Sequence, residues 1–590
     1  MKISDYIVDF LYKKNIDTIF GYQGGMVTHI ANSIHEHENM RFVQVYHEQT
    51  AAFAAVGYAR YTNNIGVAIA TSGPGATNMI TGIADAFFDS IPTIFITGQV
   101  NTHEYKYDKP IKQLGFQEAN IVEILKPITK YIKLVDKAED IPAELEKCFN
   151  IAISGRKGPV LLDIPMNVQR EILKFDTDNS NFKSIIPDYN MPQSQVVEFF
   201  SLINNAHQPL ILVGGGVYSA DAIKECREFI EFTQIPFVSS LLGKNCCDEY
   251  SELYVGTIGS YGNRCANMAI ANADLLIVLG ARLDIRQTGS VVNKFVPQGK
   301  IIQIDIDVNE LEFSRIKTDL KIHIDIKQFL TKILQNTFDI DKGHLLKWFG
   351  YLNNLKTKFN QVSEVNNIKK PAPYDLINWL NQISNSEDVF CADVGQNQMW
   401  AMQMLKLKSQ QGFFTSGGLG SMGSALPISV GIAFAQRKNN KESTIFSING
   451  DGGAHMAIQS LMLIKQYNLP IKVIIINNHA LGMITQFQEL YFNNVTTGTT
   501  YEGGYQVPDF SGIAIAYGLQ YFKIDMRNEK KFDSSEFVDF LNCRNCILEY
   551  VIDSDSRVNP KLEFNQPIYN PSPNLSKKEL SENMLISIEL

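Results

Sequence analysis

The sequence predicts an α/β protein built from three doubly wound parallel-sheet domains, and three observations carry that prediction. At 590 residues the chain is longer than one hydrophobic core can serve. Apolar, β-rich runs alternate with helical segments along most of it, the pattern of parallel strands covered by helices. Two polar, strand-poor stretches, near 174–195 and near 360–375, separate those runs into groups of similar size. The expected domains are 1–180, 190–360 and 370–552, with a tail over 553–590.

Taken in order, "MKISDYIVDFLYKK" reads as an amphipathic helix and not as a leader peptide. The first domain has strand candidates "NIGVAIAT", "TIFITG" and "GPVLLDIP"; the second has "PLILVGGG", "ADLLIVLG" and "KIIQIDID". "VFCADVG", "STIFSING", "IKVIIINN" and "CILEYVID" belong to the third. The segment "DSDSRVNPKLEFNQPIYNPSPNL" carries four prolines from Pro560 on, which excludes regular helix and strand. Whether it covers a cleft or hangs free stays open at this level.

Composition is that of an ordinary globular protein, 45% hydrophobic and 19% charged. A net charge of -9 argues against a nucleic-acid surface and offers no basic membrane patch. No run approaches the roughly eighteen apolar residues of a membrane span. Eight scattered cysteines suit a reducing compartment, so a cytoplasmic protein is expected. Cys543 and Cys546 form a CxxC that runs into an apolar strand, and a structural role is expected for them.

The chemistry begins at "FSINGDGGAHMAIQSLMLIKQYNLPIKVIIINNHALGM". Asp451 and Asn478 follow two apolar runs with a helix between, so both fall at strand ends. Two oxygen-bearing side chains in that arrangement suit a hard cation, but one carboxylate is too little charge to hold it alone. Magnesium commonly pairs one or two protein oxygens with phosphate oxygens, so a diphosphate would complete the set. Glycine-rich turns that let backbone N–H groups approach phosphate stand at 71–78, 213–217, 393–398, 416–423 and 449–453. One such turn means little; five at strand ends point to a large phosphorylated cofactor.

GDG, 24 residues and then Asn477-Asn478 resembles the binding motif of thiamine-diphosphate enzymes. The surroundings are similar to the acetolactate synthase large-subunit branch: "FGYQGG", "HEQTAAFAAVGYAR", "ATSGPGATNMITGIADAF", "GFQEANIVEILKPITK", "GARLDIRQTG", "DVGQNQMW" and "SGGLGSMGSALP". The resemblance implies the fold of the pyruvate oxidase and decarboxylase type. Its N-terminal domain binds the aminopyrimidine, the central one holds FAD or a nucleotide in some members, and the C-terminal one binds diphosphate and metal. It also implies a homodimer or homotetramer, with each cofactor between the first domain of one subunit and the third of another.

Residue by residue, the resemblance makes Glu48 the acid that activates the pyrimidine and puts Gln117 near the reacting carbon. Asp451, Asn478 and the carbonyl of Ala480 would ligate Mg2+. Gly395, Gln396, Asn397, Gly452 and Gly453 would meet the diphosphate, while Gly420, Met422 and Met483 would hold the rest of the coenzyme. Gly24, Phe116, Arg286 and Phe487 would face substrate, and Gly214, Gly215, Gly280 and Arg282 a flavin. The absence of any His-His pair, which simple keto-acid decarboxylases use to release aldehyde, favours carboligation with pyruvate as donor.

Four departures bear on the acceptor. Gln23 replaces the proline of the family's GYPGG, Met166 the lysine of DIPKD, and Phe487 the tryptophan of QWQE. Ser260-Tyr261-Gly262 stands for Met-His-Gly in the flavin region. Losing a cation and enlarging a pocket suits an acceptor other than pyruvate, such as a nucleotide-linked keto-sugar. A flavin-dependent 2-keto acid oxidase is the other alternative.

Overall fold

The structure, a computed structural model, describes residues 1–172, 189–336, 342–343, 345–366, 368, 370–528 and 535–587. These residues form three six-stranded sheets, and every strand pairing within them is parallel. In the first, β1 (Thr18–Gly21), β2 (Arg41–Gln44), β3 (Gly66–Ala70), β4 (Thr93–Gln99), β5 (Tyr131–Leu134) and β6 (Pro159–Pro165) lie in the order β2-β1-β3-β4-β6-β5. The second has β7 (Pro209–Val213), β8 (Phe237–Ser239), β9 (Tyr254–Thr257), β10 (Leu275–Leu279), β11 (Lys300–Asp305) and β12 (Leu320–His323), in the order β12-β11-β10-β7-β8-β9. In the third, β13 (Val389–Ala392), β14 (Gly412–Phe414), β15 (Ile445–Gly450), β16 (Ile471–Asn477), β17 (Gln520–Asp525) and β18 (Cys546–Val551) run β14-β13-β15-β16-β18-β17.

Each apolar run singled out in the sequence is a strand. The runs that were not anticipated include all six sheet edges: β2, β5, β9, β12, β14 and β17. Interior strands are covered on both faces and read as continuous apolar stretches, whereas an edge such as β17, "QYFKID", stays half open and mixed. The N-terminal helix is present at Ile3–Lys13, with Ile3, Ile7, Val8, Phe10 and Leu11 buried. Most of the polar stretch at 174–195 lies outside the described residues. The second stretch, expected as a linker, is partly helical: Gln361–Asn366 and Ala372–Ile383. The latter buries Tyr374, Leu376, Ile377, Trp379 and Leu380, and Trp379 meets Phe537 at 4.5 Å.

The first and third domains join through the Glu48–Thr62 and Ala425–Lys438 helices, which share one apolar cluster. Their backbones approach so closely that a Cβ on Gly431 would lie 1.9 Å from the Ala54 carbonyl oxygen. A Cβ on Gly57 would lie 2.3 Å from that of Ile428. Only glycine permits that crossing.

The tail is bound, not loose. Gln486 Nε2 donates to the Val558 carbonyl, Leu562 N–H to the Ser260 carbonyl, and buried Arg264 to the carbonyls of Pro571 and Pro573. Arg264 also pairs with Glu364 at 2.6 Å. Among described residues the proline-rich part has one isolated bridge, Lys561 to Ser572, before a final helix at Lys577–Asn583.

Candidate active site

β13, β15 and β16 are neighbours, and their carboxyl ends lie together because Gly450 pairs in register with Ile476. Ligands of open parallel sheets bind at such ends. Asp451 opens the helix that follows β15, and Asn478 follows β16. Asp451 is buried; its Oδ1 accepts from Tyr505 O–H at 2.8 Å and from Gly452 N–H at 2.7 Å. Its Oδ2 is buried with no partner among described residues. Burial pushes the carboxyl up to about 6, as expected of an anion lacking a counter-charge. Asn478 Nδ2 donates to Gln396 Oε1 at 3.2 Å, and Asn478 Oδ1 accepts from Ala480 N–H.

The turn after β13 closes the other side. Asn397 Nδ2 donates to the carbonyls of Asp393 and Ile448, so the Gly395–Asn397 turn is clamped to β15. Asp393 accepts from the backbone N–H groups of Gly423, Ser424 and Ala425, fixing the loop that bears Met422. A Cβ on Gly453 would lie 1.8 Å from Asp393 Oδ2, and one on Gly452 3.3 Å from Met422 Cε. Gly420, with φ of +75°, has nothing within 4 Å of a Cβ position and faces open space. Thus Asp451, Asn478, Gln396, Asn397, Met422, Gly452 and Gly453 surround one crevice, with Ala480 at its edge. Met483 packs at the start of the next helix, and Phe487 joins an aromatic group with Tyr491, Phe492 and Phe564.

A second group lies in the first domain. Glu48 begins a helix after β2, is buried, and its Oε2 accepts from Asn78 Nδ2 at 2.9 Å. Its Oε1 stands 3.3 Å from a Cβ position on Gly75. Gln117, at φ +63°, lies over Gly73, and Gly24 lies against Thr71. Phe116 is 81% exposed. No hydrogen bond among described residues joins the Glu48 group to the Asp451 group. The two domains meet beside them, where Gln459 Nε2 donates to Thr50 Oγ1 at 3.3 Å.

A cavity of about 1070 Å3 lies where the central domain meets the other two, lined by Gly215, Gly280, Arg282, Arg286, Gln287 and Asp305 of the central domain, by Arg60 and Asp89 of the first and by Met399 and Gly417 of the third. Gly214 packs on the Gly280 carbonyl. Arg282 lies 3.6 Å from Asp284, and the Arg286 guanidinium 5.5 Å above the Tyr261 ring. Gln287 Oε1 is buried there with no partner among described residues. The described residues contain no group of three His, Cys, Asp or Glu able to hold a metal unaided.

Comparison with known proteins agrees with this layout. Residues 1–124 match the thiamine pyrophosphate enzyme N-terminal TPP binding domain, 196–333 the central domain and 393–537 the C-terminal TPP binding domain. The chain belongs to the thiamine pyrophosphate enzyme family. It is 36% identical over 562 residues to the acetolactate synthase large subunit of Corynebacterium glutamicum, covering 94% of this chain and 87% of that protein. To the acetolactate synthase isozyme 2 large subunit of Escherichia coli K12 it is 35% identical over 519 residues, 88% and 90% of the two chains. The large subunit from Lactococcus lactis is 34% identical over 536 residues, 88% of each. These relatives make it a thiamine-diphosphate-dependent carboligase of the acetolactate synthase-like type.

Sequence reasoning missed Tyr505, Asp393 and Asn78. Tyr505 sits in "YEGGYQVPD", which reads as a turn, and only the fold carries it across to Asp451. Asp393 opens the glycine turn at 393–398, and only the fold shows it buried beneath the Met422 loop.

Proposed function

We propose that the protein decarboxylates pyruvate and joins the two-carbon unit to a second carbonyl carbon, giving 2-acetolactate when pyruvate is also the acceptor. The observation that supports this most directly is the buried Asp451 Oδ2, which accepts no hydrogen bond among described residues, at the carboxyl ends of β15 and β16. That donor set fits Mg2+: Asp451, the side-chain oxygen of Asn478 and the Ala480 carbonyl would hold it, with diphosphate oxygens completing the shell. Gly395, Gln396, Asn397, Gly452 and Gly453 would face the diphosphate, and Gly420 and Met422 the pyrimidine. When bound, the coenzyme supplies a stabilised carbanion at its thiazolium carbon. Asn78 orients Glu48 by holding Oε2, which leaves Oε1 as the atom that would give or take a proton at the bound pyrimidine. Because the Glu48 and Asp451 groups lie in different domains, we assign each complete site to two copies of the chain. Exposed Phe116, with Gln117 and Gly24, then reaches substrate only in that assembly.

The central cavity, of about 1070 Å3, has room for a dinucleotide, and Gln287 Oε1 beside it has no hydrogen-bond partner among described residues. We read it as an FAD site, with Gly214, Gly215, Gly280 and Arg282 as contacts. Phe564 of the tail meets Phe487 at 5.8 Å, so the tail would roof the acceptor pocket.

Mass spectrometry of products from pyruvate, thiamine diphosphate and Mg2+, offered with other keto acids and nucleotide-linked keto-sugars, tests the proposal. Acetolactate is the expected product. No CO2 release would remove pyruvate as donor, CO2 without acetolactate would assign another acceptor, and flavin-dependent oxygen uptake would assign an oxidase.

A further inference from the structure

The loop Ser416–Gly423 carries Met422 into the Asp451 crevice and includes four glycines, Gly417, Gly418, Gly420 and Gly423. Glycine-rich backbone loses more conformational freedom on ordering than any other, so such a loop needs external anchors. Most of its hydrogen-bonded anchors come from another domain. Asp89, at the end of the Ile80–Phe88 helix, accepts from Gly417 N–H at 3.0 Å and Gly418 N–H at 2.6 Å. Asp85, one turn earlier, accepts from the Ser416 hydroxyl, and from that of Ser421 at 3.3 Å. Ser416 Oγ in turn accepts from Gly420 N–H at 3.1 Å and Ser421 N–H at 2.9 Å. Arg60 donates to the Thr415 carbonyl at 2.6 Å and lies 3.9 Å from Asp89.

Both carboxylates are almost fully buried, and Asp85 Oδ2 has no partner among described residues. Two adjacent buried acids are costly to a fold, and burial with the Asp89 charge holds the Asp85 carboxyl up at about 7. Such a cost is tolerated when the geometry it fixes is needed.

We propose that Asp85 and Asp89 of the first domain are positioning residues for the coenzyme: they set the Ser416–Gly423 loop so that Met422 enters the crevice of the same chain's third domain. Neither touches the reacting atoms. This rests on the thiamine-diphosphate reading of that crevice.

The test is a fluorescence titration of full-length apoprotein with thiamine diphosphate at saturating Mg2+, with pyruvate KM and thermal midpoint measured alongside. Asp85→Ala and Asp89→Ala should each raise the coenzyme Kd about tenfold or more, since each removes the oxygens that accept from the loop. Pyruvate KM at saturating coenzyme should not change. Ser416→Ala removes the same hub from the loop side and leaves both acids; it should show the same loss, so a carboxylate variant that fails to fold does not end the test. Asp163, a buried acid of the first domain held by Thr97 and Gln99, touches no part of the loop. Asp163→Asn should bind coenzyme within about twofold of wild type. Unchanged Kd in the three loop variants would overturn the proposal, and so would an equal loss in Asp163→Asn. A wild-type chain that binds no thiamine diphosphate would instead sink the functional reading beneath it.

Discussion

Glu48 and Asp451 are both buried, yet their surroundings differ in a way that assigns their work. One oxygen of Glu48 is held by an amide donor and the other is left beside Gly75, an arrangement for passing a proton. Asp451 has a hydroxyl and an amide on one oxygen and, among described residues, no hydrogen bond that meets the same geometry on the other, which suits the cation proposed above. Glu48→Gln should therefore cut turnover by about 10²–10⁴-fold while coenzyme affinity stays near wild type, as read by kcat and a binding titration. Asp163 offers a different check, through pH. Burial holds its carboxyl near 7, above the ordinary 3.8, so the fold favours its neutral form. Its contribution to stability is complete below about 4 and is lost as pH rises through about 7. Thermal midpoints across that window should fall less in Asp163→Asn than in wild type. Asp451, Asn478 and Glu48 were legible because each sits in a local pattern of spacing. Tyr505 and Asp89 act on residues 54 and more than three hundred positions away, and no local pattern records such a contact.

At the scale of elements, most interior strands were legible and the edges were not, for the reason of burial given above; interior β1 and β8 were also missed, being only four and three residues long. The crossing of the Glu48–Thr62 and Ala425–Lys438 helices was also hidden. Gly57 and Gly431 look like weak points in helices until the partner backbone is seen. Replacing Gly431 by alanine would ordinarily add about 0.5–1 kcal/mol of helix stability. Here the methyl would meet the Ala54 carbonyl at 1.9 Å, and overpacking of that kind costs about 1–3 kcal/mol. A lower unfolding midpoint for Gly431→Ala is the expected result, measured by calorimetry.

Across the whole molecule the tail ties the third domain back to the second, and Arg264 is its main fastener. Removing one partner of a buried, hydrogen-bonded ion pair costs about 3–5 kcal/mol, and here it also strips two tail carbonyls of their donor. Arg264→Met should make residues 553–587 the first segment cut in limited proteolysis, while wild type resists there. The proline run told of irregular backbone; it could not tell of docking, because Arg264 lies three hundred residues upstream.

The separation of the acid from the cation crevice has a genetic corollary. A chain carrying Glu48→Gln still has a sound third domain, and a chain carrying Asp451→Asn still has a sound first one. Co-expressed, the two inactive polypeptides should rescue each other, because every mixed pair assembles one undamaged centre and one doubly damaged one. Activity in the mixture, and none in either preparation alone, is the outcome expected of halves donated in trans; a mixture as dead as its parents would mean that each polypeptide works by itself.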